Sequence, residues 1–66
     1  MYKVTIWIES SDNAFYLKMD GEELERFINW MEGLVSADMF KHEEYKHTRY
    51  IIRNHVSFFE YEENAK

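Results

Sequence analysis

Residues 2 to 9, YKVTIWIE, alternate between apolar and polar, with Tyr2, Val4, Ile6 and Ile8 on one side and Lys3, Thr5, Trp7 and Glu9 on the other. Successive side chains of a strand point to opposite faces, so a period of two predicts a half-buried β-strand. Trp7 alone breaks the polar side. The following SSDN, residues 10 to 13, supplies turn residues whose short polar side chains hydrogen-bond the local backbone. A second alternating run, AFYLKM at 14 to 19, sets Phe15, Leu17 and Met19 opposite Tyr16 and Lys18. The two runs read as an antiparallel hairpin.

The period then changes. Asp20 with Glu23 three residues on forms a variant capping box, and Glu22 adds negative charge suited to the positive end of a helix. From there Leu24, Phe27, Ile28, Met31, Leu34 and Val35 recur at helical spacing, which leaves Glu22, Glu25, Arg26, Asn29 and Glu32 to water and Trp30 at the border of the stripe. Gly33 suits a Schellman-type end with Leu34 folding back, so the helix is expected to stop at 33 to 35. Residues 36 to 47, SADMFKHEEYKH, have weak periodicity and read as a connector anchored by Met39 and Phe40. The remainder, TRYIIRNHVSFFEYEE, is rich in β-branched and aromatic residues. A reversal at Arg53, Asn54 and His55 divides it into strands at 48 to 53 and 55 to 62, with 63 to 66 a frayed tail. The expected architecture is α+β in one domain, residues 1 to 66, with the order ββαββ and an antiparallel sheet carrying one amphipathic helix on one face.

Composition narrows the function classes. A chain of 66 residues lies near the lower size limit for an independent hydrophobic core. With no cysteine, disulfides, thiolate metal sites and cysteine nucleophiles are excluded, which points to a reducing compartment. The opening residues lack the continuous apolar run of a signal peptide, and no stretch reaches membrane-spanning length, so a cytoplasmic location is expected. Thirteen Asp and Glu against eight Lys and Arg, a formal charge of −5, repel phosphate backbones and anionic membranes. Five Tyr, five Phe and two Trp exceed what so small an interior hides, so an aromatic surface is expected.

The sharpest catalytic lead fails on geometry. In KHEEYKH, residues 41 to 47, a zinc-type helix would need histidines four apart on one face. His42 and His47 are five apart, which places them about 140° from each other around a regular helix, and Lys46 occupies the position a second ligand requires. The segment reads instead as a charge-balanced connector. Ser10, Ser11, Ser36 and Ser57 lack a nucleophile-elbow context, His55 reads as a turn residue, and no glycine-rich phosphate loop is present. No enzymatic activity, metal or cofactor is expected.

Two surfaces remain. Taking Val56, Phe58, Tyr50 and Ile52 as the inward set of the last strands leaves Ile51, Phe59 and Tyr61 outward, joined by Trp7 and Tyr16 on the uncovered sheet face. This is the candidate protein or homodimer interface. The second surface is acidic, with Glu22, Glu25 and Glu32 along the helix and Glu60, Glu62 and Glu63 near the end of the last strand, a distribution that can imitate a phosphate backbone. The expected function is a non-catalytic protein that binds a cellular or host protein as an adaptor or inhibitor. The alternative is a small nucleic-acid or ligand-binding module that stacks bases on Tyr50, Phe58, Phe59 and Tyr61 and holds phosphates with Arg49 and Arg53. The nearby glutamates and the lack of an RNP-type pattern oppose it. In size, acidity and absence of catalytic motifs the chain resembles the small early proteins with which bacterial viruses inhibit host machinery, a likeness of type that rests on no motif.

Overall fold

Strand β1 (Tyr2–Ile8) pairs antiparallel with β2 (Ala14–Met19), with Val4 opposite Leu17 and Ile6 opposite Phe15, as the alternation predicts. The computed structural model describes residues 1–9 and 13–63. Positions 10–12 of the expected turn and 64–66 of the expected tail therefore lie outside the described residues. Val4, Ile6, Leu17 and Met19 are all buried on the inner face of the hairpin.

Helix α1 (Gly21–Met31) starts where Asp20 accepts a hydrogen bond from the Glu23 backbone N–H at 2.8 Å. It ends in a Schellman turn. The Leu34 N–H donates to the Asn29 carbonyl at 3.0 Å and the Gly33 N–H to the Trp30 carbonyl at 3.1 Å. Gly33 adopts φ 82°, a left-handed conformation that a side chain would strain. Leu34 does not fold back as expected and is 71 % exposed. Trp30, expected at the border of the apolar stripe, is buried.

The reason for Trp30 lies in residues 36 to 47, which are more than a connector. Residues Met39–Glu44 form a strand, β3, paired antiparallel with β4 (His47–Ile52) through a two-residue loop at Tyr45 and Lys46. This hairpin turns Phe40, His42 and Ile51 inward and so gives the helix a second packing surface. The Trp30 ring lies 5.4 Å from that of Phe40, and its indole Nε1–H donates to the Ala37 carbonyl at 2.8 Å.

A 3-10 turn, Arg53–His55, carries the chain from the hairpin to β5 (Val56–Glu63), which pairs antiparallel with β1. The main sheet therefore has the order β2-β1-β5, and β3-β4 forms a sheet of its own. The fold is α+β, with the expected ββα start and two terminal strands, to which β3 is an addition. The terminal strands belong to different sheets, although the sequence suggests one.

Their facing also differs from expectation. Ile51 is 3 % exposed and belongs to the core, whereas Tyr50 and Ile52 point outward. On β5, Trp7 lies opposite Phe58 but Ile8 lies opposite Val56, so Ser57 is an extra residue in the strand. Such a bulge shifts the alternation by one. Val56 and Phe59 both pack against the core, while Phe58 is turned out. Strict alternation cannot produce that arrangement.

Phe27 is the meeting point of the layers. Its ring makes edge-to-face contacts with Phe59 of the sheet at 5.0 Å and Phe40 of the hairpin at 5.2 Å. Replacing Phe27 by Ala is expected to cost about 3–5 kcal/mol, close to the whole stability of so small a domain. Urea denaturation followed by near-ultraviolet circular dichroism measures it, with loss of the aromatic signal and of a cooperative transition as the expected result.

Candidate protein-interaction face

The helix and its attached hairpin cover one face of the β2-β1-β5 sheet and leave the other open. Side chains on the open face fall into three rows set by the strand register: Ala14, Trp7 and Phe58; Tyr16, Thr5 and Glu60; Lys18, Lys3 and Glu62. The first row is apolar and the last is charged. Trp7 and Phe58 stack with ring centroids 4.3 Å apart and planes 14° from parallel. Phe58 remains 55 % exposed in that stack. Thr5 is buried although it lies on the open face, because the longer Tyr16 and Glu60 flank it across the strands.

Below the aromatic row the charges are locally matched. Lys3 Nζ lies 4.8 Å from the centroid of the Tyr16 ring and 4.0 Å from the Glu62 carboxylate. Exposed contacts of this kind contribute little to stability, roughly 0–1 kcal/mol, but they orient the side chains across the face. The face therefore runs from an aromatic pair through a phenol to a charged margin.

Trp7 and Tyr16 lie on this face, where the sequence placed them. Ile51 and Phe59 do not: Ile51 is buried beneath the hairpin and Phe59 packs against Phe27 in the core. Tyr61 lies opposite Val4 on the covered side, where its ring meets Tyr2 edge-on at 5.9 Å. Phe58 takes the place expected of Phe59. The signal that identifies it is the bulge at Ser57, which depends on the register against β1 and is absent from the periodicity of β5 itself.

The acidic positions separate into groups. Glu22 and Glu25 are exposed on α1 and Glu32 caps its C-terminal end, on the covered side of the sheet. Glu60 and Glu62 lie on the open face and Glu63 at the end of β5. The six carboxylates do not form one continuous stripe. Arg53, read from sequence as a phosphate ligand, is engaged elsewhere: its Nη1 donates at 3.0 Å to the carbonyls of Trp30 and Val35, and it lies over the Trp30 ring. A cation at the negative end of a helix is favourable, and α1 carries none of its own in its last turn.

His42, read as part of a solvated connector, is 1 % exposed. Its Nδ1–H donates to Glu23 Oε2 at 2.9 Å, and Nε2 approaches Glu44 Oε1 at 3.3 Å. Each ring nitrogen faces a carboxylate oxygen. The cluster thus ties the first turn of α1 to β3. His47, across the hairpin loop, takes no part in it. No group of three or more His, Cys, Asp or Glu side chains arranged to hold a metal occurs among the described residues. No helix among them is long and apolar enough to cross a membrane.

No protein-family model matches the chain, and no curated protein or solved structure matches it.

His42, together with a backbone hydrogen bond from Lys18, holds the Glu44 carboxyl below its ordinary value of 4.5, against a smaller opposing effect of burial. A lowered folded value contributes stability that is present above the ordinary carboxylate range and lost as the pH falls through the folded value. Glu44 is half exposed, so solvent screening keeps the contribution modest. Urea midpoints measured at successive pH values below 4.5 should fall more steeply for the wild type than for Glu44→Gln.

Proposed function

We propose that this chain is a non-catalytic protein-binding module, an inhibitor or adaptor, that docks a protein partner on the open face of its β2-β1-β5 sheet. The observation that carries this reading is the Trp7–Phe58 stack, a flat aromatic surface held in place on a rigid sheet and left half in water. Aromatic residues dominate the energetics of protein interfaces because they bury large area with few rotatable bonds. A pre-stacked pair loses less side-chain entropy on binding than two free rings.

The charged row supports the same reading. Lys18 on β2 and Lys3 on β1 stand in one row with Glu62 on β5, so that row changes sign across the width of the sheet. Such a pattern favours one orientation of a partner and steers its approach. Glu22 and Glu25, on the helix side, lie away from the face and serve solubility.

Capture from a lysate of the source cells by tagged wild type and Phe58→Glu tests the reading. A stoichiometric protein partner held by the wild type and lost by the variant is expected, with the far-ultraviolet circular dichroism spectra of both superimposable. Light scattering on the purified chain runs alongside. A partner retained equally by Phe58→Glu, or no partner beyond a second copy of the chain, defeats the proposal.

A further inference from the structure

The loop joining β3 and β4 carries an unusual residue. Tyr45 adopts φ 52°, the only positive φ of a non-glycine residue among those described, and its side chain is 95 % exposed. Two-residue hairpin loops favour glycine, asparagine or aspartate where φ is positive, because a β-carbon is crowded there. An aromatic ring at such a position strains the backbone, and this ring is buried in nothing. Lys46 Nζ lies 5.7 Å from the ring centroid. Strain that the fold itself does not use is a pointer to an external contact.

A cleft of about 260 Å³ opens beside this loop, lined by Tyr16, Glu44, Tyr45, His47 and Arg49. Two phenol rings, an imidazole and a guanidinium thus meet where the hairpin tip reaches β2. Glu44 is already occupied by His42 and by the Lys18 backbone. Lys46 stands over Tyr45, Lys3 over Tyr16 and Arg49 over Phe15. Of these cations Arg49 lines the cleft itself, while Lys46 and Lys3 stand over the two tyrosines of its wall.

We propose that this cleft binds a planar aromatic ring carrying a phosphate, the chemistry presented most commonly by a nucleotide. Tyr16 and Tyr45 supply the stacking surfaces, and every base offers a π-face to such a platform. Arg49, His47 and Lys46 donate to the phosphate, with the guanidinium suited to a bidentate grip on its oxygens. A cleft of this volume takes one ring system with its phosphate at the mouth. The site shares Tyr16 with the open face but is otherwise separate from the Trp7–Phe58 stack.

Two-dimensional NMR titration of the full chain tests the proposal, with adenosine monophosphate, phenyl phosphate, adenosine and inorganic phosphate as separate probes. Saturable shifts of His47 and Arg49 with adenosine monophosphate, at about 1 mM or below and weakening with added salt, are expected. Comparable binding of phenyl phosphate assigns the site to aromatic phosphates in general, and its failure assigns it to nucleotides; either supports the proposal. If adenosine binds as tightly as its monophosphate, or inorganic phosphate does, the ring-plus-phosphate assignment is wrong. The absence of any saturable shift overturns it outright.

Tyr45→Gly separates a ligand role from a structural one. Glycine relieves the strained φ, so the urea midpoint should be equal or higher, while nucleotide affinity should fall roughly five- to a hundred-fold, the usual range for a lost stacking ring. Unchanged affinity in that variant removes Tyr45 from the site and with it the proposal. Phe58→Glu should leave nucleotide binding intact, so failure here and failure of the protein-interface reading are distinguishable.

Discussion

The ring of Phe27 is the constraint on which the rest of the structure depends. A two-stranded hairpin is marginally stable alone, and here it and the three-stranded sheet close on the same helix. Phe27 presents one edge-to-face contact to each, through Phe59 and Phe40. Trp30 extends the contact on the hairpin side, while Leu24 extends the buried surface of the helix toward its start. The helix is therefore an axle between two sheets, and its apolar stripe serves both surfaces.

Polar links hold the same assembly in register. The usual second half of a capping box has the N3 glutamate return to the N-cap backbone; Glu23 instead reaches His42 on β3. At the other end, Arg53 and the Trp30 indole satisfy carbonyl groups of the helix terminus and the following loop. Both ends of α1 are thus fastened by residues far away in sequence. Concentrating these contacts on one side of the main sheet leaves the other side with aromatic and charged side chains and no covering element. That uncovered face and the hairpin tip both carry exposed aromatic rings, Phe58 and Tyr16 on the one and Tyr45 on the other.

Much of this was legible in the sequence. The alternation of β1 and β2, the Asp20 cap and the Gly33 turn appear in the structure where the pattern sets them, and Trp7 and Tyr16 face outward as read. Of the helical stripe Leu24, Phe27, Ile28 and Met31 lie on α1, while Leu34 and Val35 fall past its end and are exposed. The misreadings have specific causes. Residues 39 to 44 carry Phe40 and His42 at strand spacing, but with a histidine on the inner face and charges around it the signal resembles a solvated connector. Ile51 and Ile52 are adjacent and equally apolar, so nothing local says which of the two is inside.

The sequence by itself determined every element but β3, and their two-sidedness, because periods of 2 and 3.6 follow from backbone geometry within a few residues. Only the tertiary structure decided which side of each late strand is covered. Alternation divides a strand into two faces without ranking them, and pairing with a distant strand does the ranking. On β5 the register against β1 inserts Ser57 as a bulge, which turns Phe59 into the core and Phe58 out onto the open face. The partners of Glu23 and Arg53 were decided in the same way, since a hydrogen bond between residues 18 to 23 positions apart is selected by packing that no short stretch of chain encodes.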